Sequence, residues 1–87
     1  VDIDPRNATA HAKLGILQAK GHQYEAGIKS LQAALSIDEN NPDTRYNLAL
    51  IYELQGNIEE AKIEYKKVLS LDPNHAEALN NLQILGE

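Results

Sequence analysis

The residues able to do chemistry in this chain are few and scattered. His11 falls inside a helix-period stretch, His22 in a turn and His75 just before another helical stretch. A metal-binding helix face needs two imidazoles at i and i+4, and no two of these have that spacing. They read as separate surface histidines, with no metal expected. Cysteine is absent, which removes thiolate nucleophiles and disulfides together. No Ser-His-acid arrangement and no glycine-rich phosphate loop is suggested. Glu59, Glu60 and Glu64 interleave with Lys62, Lys66 and Lys67 at helical spacings, the pattern of a solvated face with weak ion pairs. Neither enzymatic activity nor a cofactor is expected.

Composition narrows the remaining classes. With 87 residues, 43% of them apolar and 24% charged, the chain suffices for one domain with a modest core. It is rich in the helix formers Ala, Leu, Glu, Lys and Gln, which favours an all-α fold. A net charge of −5 argues against nucleic acid, whose phosphates call for clustered Lys and Arg. No apolar run approaches the roughly 20 residues of a membrane span, so no membrane insertion is expected. The missing cysteines fit a reducing, cytoplasmic compartment without requiring one. There is no methionine, and "VDIDP" opens the chain as if in mid-element, so it reads as a piece of a longer protein.

Self-similarity supplies the architecture. A shift of 34 residues lays "VDIDPRN" on "LSIDENN" and then on "LSLDPNH" without a gap. Leu14, Leu48 and Leu82 fall into register, as do Gly15 with Ala49, Gly27 with Ala61 and Leu31 with Tyr65. Within each period apolar residues recur at steps of three and four, which predicts helices over 8–20, 24–37, 42–55, 58–71 and 75–85. Residues 1–3 would be the stub of a preceding helix. Asn41 before Pro42 is an N-cap followed by proline at the first helical position, and Gly56 suits a left-handed C-cap. Asn57 with Glu60, and Asn74 with Glu77, have the spacing of a capping box. Connections of two to four residues force antiparallel pairs. Small residues then belong where two helices come nearest: Gly15 and Gly27 in the first pair, Ala49 and Ala61 in the second, with Leu48, Tyr52, Tyr65 and Val68 around the latter.

A 34-residue helix-turn-helix period with these columns resembles the tetratricopeptide repeat. The resemblance is carried by Leu14, Gly15, Tyr24, Gly27, Leu31 and Ala34 in residues 8–41, and by Leu48, Ala49, Tyr52, Gly56, Ala61, Tyr65, Val68 and Pro73 in residues 42–75. Residues 76–87 look like the first helix of a third repeat. There Gln83 and Gly86 replace the Ala49 and Tyr52 columns, as expected of a helix that caps the stack. Departures include His11, Arg45 and Leu79 where an aromatic is usual, Gln18 in the Tyr52 column and Glu39 in place of proline.

The resemblance implies one domain over 1–87, a superhelix of stacked antiparallel helix pairs, and a protein–protein interaction module that binds a peptide or protein in a concave groove. Residue by residue it assigns the groove to Ala12, Ile16, Lys20, Tyr46, Asn47, Leu50, Leu54, Asn80, Asn81 and Ile84. Ile16, Leu50 and Ile84 lie 34 residues apart and would form an apolar line. Asn47, Asn80 and Asn81 would hydrogen-bond a partner's backbone. Some members grip the terminal carboxylate of chaperone peptides with Lys, Arg and Asn. Here the matching places hold Ala12, Ile16, Asn47, Glu77 and Asn81, only Asn47 fits, and that grip is not expected. The alternative is a structural unit stacking end to end into homo-oligomers through exposed repeat ends.

Overall fold

The computed structural model describes residues 7–86, so the proposed helical stub over residues 1–3 lies outside them. Five helices make up the described part: α1 (Ala8–Lys20), α2 (Tyr24–Ile37), α3 (Pro42–Gln55), α4 (Ile58–Leu71) and α5 (Ala76–Leu85). No strand occurs among the described residues. Four helices have the expected bounds, and the fifth begins one residue later than expected.

Local chemistry sets most of these ends. The Asn41 side chain accepts hydrogen bonds from the backbone N–H groups of Asp43 and Thr44 at 3.0 and 3.2 Å, and Pro42 opens α3. Asn7 does the same for Ala10 at 3.0 Å. Gly56 closes α3 with φ of 85°, in the left-handed region. Both expected capping boxes are absent. Asn57 makes no cap bond and donates instead to the Gln55 side chain at 3.0 Å. At α5 the cap is His75, whose Nδ1 accepts from the Ala78 N–H at 3.2 Å. The Asn74 N–H meanwhile donates to Asp72 Oδ1, one residue too early to start a helix.

The helices form two layers. α2 packs against both α1 and α3, and α4 against both α3 and α5, leaving α1, α3 and α5 in one layer and α2 and α4 in the other. Two apolar clusters fill the space between. The first joins Ala19, Ile28, Leu31, Leu35, Leu48 and Ile51, and the second joins Ala49, Ala61, Tyr65, Val68, Ala78 and Leu82. Leu48 therefore looks back toward the preceding pair and not into its own hairpin. Its neighbour Ala49, turned about 100° around the helix, faces the other cluster. Tyr52 packs against both clusters and ties them together.

The small residues sit where the helices approach. Ala49 and Ala61 are fully buried. At Gly15 an added Cβ would lie 2.9 Å from the Gly27 oxygen, and at Gly27 one would lie 2.8 Å from the Gly15 oxygen. Backbone meets backbone there, leaving no room for a methyl group.

Candidate partner-binding groove

The layer of α1, α3 and α5 carries every residue assigned to the groove. Ile16, Ala19 and Lys20 of α1, with Asn47, Leu50, Ile51 and Leu54 of α3, line one open cleft of about 150 Å³. Its spacing follows from helix geometry: 16, 19 and 20, like 47, 50, 51 and 54, recur at three and four and so share a face. The floor is Ala19 and Ile51, both buried in the first cluster, and the rim is Leu54, 61% exposed, with exposed Lys20. Leu50 is half-buried and also packs on the second cluster, so it forms the ridge between two parts of the surface. Asn47 lies half-buried in the cleft wall, and no hydrogen bond engages its side chain among the described residues.

The remaining assigned residues lie outside this cleft. Ala12 is half-buried against the first cluster. Ile84 on α5 is 73% exposed, and Asn80 is exposed beside it. Tyr46 and Asn81 belong to a polar network linking three helices. The Asn81 amide donates to the Tyr65 hydroxyl at 3.1 Å and to the Tyr46 hydroxyl at 3.4 Å, while the Tyr65 hydroxyl donates to Glu53 at 2.8 Å. Both amide hydrogens of Asn81 are thus engaged, and only its carbonyl oxygen is open to a partner. Asn81 thus keeps an acceptor, but no free donor, for a partner's backbone. Burial, first of all, pushes the Tyr65 phenol well above its ordinary range, and hydrogen bonding to Glu53 adds to this against the opposing Asn81 bond. Tyr46 is raised too, by burial and then by the nearby Glu77 charge.

Glu64 is not part of a solvated face: it is 7% exposed and pairs with Arg45 and Lys67, each at 3.2 Å. Arg45 also reaches the Glu39 carbonyl at 3.4 Å, which ties the α2–α3 connection to the pair. His75 is not a surface histidine. It is 7% exposed, its ring lies 5.0 Å from that of Tyr46, and its Nε2 is 3.1 Å from Asp43 Oδ1. Because Nδ1 accepts from Ala78, the neutral ring carries its proton on Nε2 and donates it to Asp43. No signal in the sequence marks this use: imidazole is not among the usual capping groups, and Asp43 is 32 residues away.

Among the described residues no group of three His, Cys, Asp or Glu could hold a metal ion. None of the described helices is long and apolar enough to cross a membrane. What the surface offers is shape, apolar contact and an unengaged amide.

Known proteins place this geometry. The chain is 34% identical over 79 residues to the tetratricopeptide repeat-containing protein trd-1 of Caenorhabditis elegans, covering 91% of this chain and 10% of that protein. MamA superposes with a TM-score of 0.89 at 27% identity, over 94% of this chain and 45% of MamA. The first TPR of Spaghetti, bound to an HSP90 peptide, superposes with a TM-score of 0.88 at 22% identity, over 94% of this chain and 65% of that one. The chain thus spans only part of each of these proteins. The sequence pattern of the tetratricopeptide repeat matches residues 18–83, three quarters of the chain, and the chain belongs to the tetratricopeptide repeat family.

Proposed function

We propose that this chain is a protein–protein interaction module, holding an extended segment of a partner across α1, α3 and α5. The observation that carries the reading is the cleft of Ile16, Leu50 and Leu54 with the unengaged Asn47 amide in its wall. Apolar side chains seat a partner side chain, and the amide supplies a donor and an acceptor to a peptide backbone passing over it. The first TPR of Spaghetti, alike in fold, holds a peptide. The residues that would grip a terminal carboxylate are not at the matching places here, so a different segment chemistry is called for.

The test is selection of peptides from a random displayed library. Leu54 is the cleaner probe than Leu50, because it is exposed while Leu50 also supports the second cluster. Selected peptides should lose at least tenfold in affinity for Leu54→Glu and for Asn47→Ala, with thermal melting nearly unchanged. Equal affinity for both variants would overturn the reading.

A second reading, end-to-end assembly of copies, draws on Leu79 and Ile84 of α5, which are 40% and 73% exposed. Sedimentation at rising concentration tests it: mass should grow, and Ile84→Glu should stop the growth. A constant monomer mass would set this reading aside.

A further inference from the structure

The groove is electrostatically lopsided. The side chain of Lys20, on the rim of the cleft in the last turn of α1, forms no ion pair or hydrogen bond among the described residues. On the far side, Glu77 in the first turn of α5 is exposed and likewise has no ion-pair partner among them. Glu53 lies on the same side of the Leu50 ridge, held by the Tyr65 hydroxyl, and its charge and that of Glu77 both act on the Tyr46 phenol. α3 stands between, close to α1 through the shared cleft and joined to α5 by the His75–Asp43 and Asn81–Tyr46 bonds. The surface therefore runs from the Lys20 cation, over an apolar pocket, to an acidic bank.

A volume of about 150 Å³ suits one side chain of leucine size, since an apolar cavity of that order takes up a benzene ring. Neighbouring helix axes lie roughly 8–10 Å apart, and an extended segment advances roughly 3.3 Å per residue. Since α1, α3 and α5 pack mainly through α2 and α4, one step from the α1–α3 cleft to the α3–α5 bank is thus at least about three residues. Resting on the groove reading above, we propose that the partner segment carries an aliphatic anchor flanked directly by an acidic residue, with a basic residue about three positions away on the other side. The anchor fills the cleft, the acidic group meets Lys20, and the basic group meets Glu77 and Glu53. Seating the segment the other way would place like charges opposite one another at both ends.

Labelled peptides of one composition decide it. The matched order is Asp-Leu-x-x-Lys and the mismatched order Lys-Leu-x-x-Asp, each also made in reverse so that both chain directions are covered. Fluorescence anisotropy at low salt should favour a matched peptide by roughly tenfold, because exposed opposite-charge pairs replace like-charge contacts at two places. The preference should shrink strongly near 1 M salt, where the screening length falls to about 3 Å. Lys20→Glu, a change at an exposed position, should remove or invert it. Equal binding of both orders, with Leu54→Glu still abolishing binding, would overturn the charge assignment and leave the groove standing. Binding that ignores Leu54→Glu, or no binding by any of the four at millimolar concentration, would overturn both.

Discussion

Gly15 and Gly27 touch through their backbones: the oxygen of each lies within 2.9 Å of where a Cβ on the other would stand. Their counterparts one period later, Ala49 and Ala61, are fully buried and carry the methyl group that the first pair has no room for. The same small-residue columns thus hold glycine in one helix pair and alanine in the next. Gly15→Ala should destabilise the chain by roughly 1–3 kcal/mol, because the new methyl meets both the Gly27 oxygen and Leu31. The sign is the test. Glycine to alanine inside a helix ordinarily stabilises by about 1 kcal/mol. A rise in the urea midpoint would show that the pair opens freely.

The turn after each first helix needs a left-handed residue, and the two repeats meet that need differently. Gly56 has φ of 85° with nothing near its missing Cβ, while His22, 34 positions earlier, sits at φ of 64°. Gly56→Ala should therefore cost about 1 kcal/mol through backbone strain alone. His22→Gly should gain about 0.5–1 kcal/mol despite losing the exposed hydrogen bond between the Tyr24 hydroxyl and its ring. Chemical denaturation of both variants checks the pair. A loss at His22 would mean the Tyr24 contact outweighs the strain.

How much could be read beforehand depended on how far along the chain a feature reaches. Helix bounds came from signals within one turn: Asn41 before Pro42, Gly56 after an apolar run, and a period counted directly in the letters. The layers followed from short connections. The failures were long-range. Glu64 sits among lysines spaced as on a solvated face, and only Arg45, 19 residues away on another helix, reveals that it is buried. His75 lies in a loop sequence whose better-known capping residue is Asn74. Nothing near Asn81 in the sequence marks its amide as engaged, because its partners, Tyr65 and Tyr46, lie 16 and 35 residues away. For the groove, helical spacing gave the shared face of Asn47, Leu50 and Leu54, but not that Leu50 is braced from behind.

The Arg45–Glu64–Lys67 group holds a carboxylate under the α2–α3 connection. Removing it strands a guanidinium whose side chain is itself only 21% exposed. Glu64→Ala should lower stability by about 2 kcal/mol, within the range for a buried hydrogen-bonded charge that loses its partner. Arg45→Met together with Glu64→Leu should recover much of that loss, since an apolar pair of similar size needs no counter-charge. Unfolding curves for the single and double variants measure both. A double variant no better than Glu64→Ala would point to the Glu39 carbonyl bond as the part that counts.

Alkaline pH should act through Tyr65. Its folded phenol is held above the ordinary value of about 10, chiefly by burial, so ionisation favours the unfolded chain. The contribution is complete below about pH 10 and declines as pH rises from there toward the folded value. Tyr46 and Tyr52 are raised in the same direction, so Tyr65→Phe should flatten the loss without abolishing it. Melting temperatures at pH 8 and pH 11 give the comparison. An identical fall in the variant would exclude Tyr65 as its source.

His75 joins the start of α5 to α3 with one ring: Nδ1 caps Ala78, Nε2 bonds Asp43, and the face lies against Tyr46. These roles separate by substitution. His75→Ala loses the cap, the Asp43 bond and the ring contact, and should cost about 1–2 kcal/mol. His75→Asn can restore the cap but not the reach to Asp43 or the tilted ring contact with Tyr46, so it should return only part of the loss. Amide hydrogen exchange locates the effect. The Ala78 N–H should exchange faster in His75→Ala and be protected again in His75→Asn, while the amides of α2 stay unchanged in both. Because α5 packs on the chain mainly through α4, loosening its first turn should free Asn81 from Tyr46 and leave the cleft between α1 and α3 in place. Faster exchange throughout α2 would mean instead that His75 supports the whole stack and not one end of it.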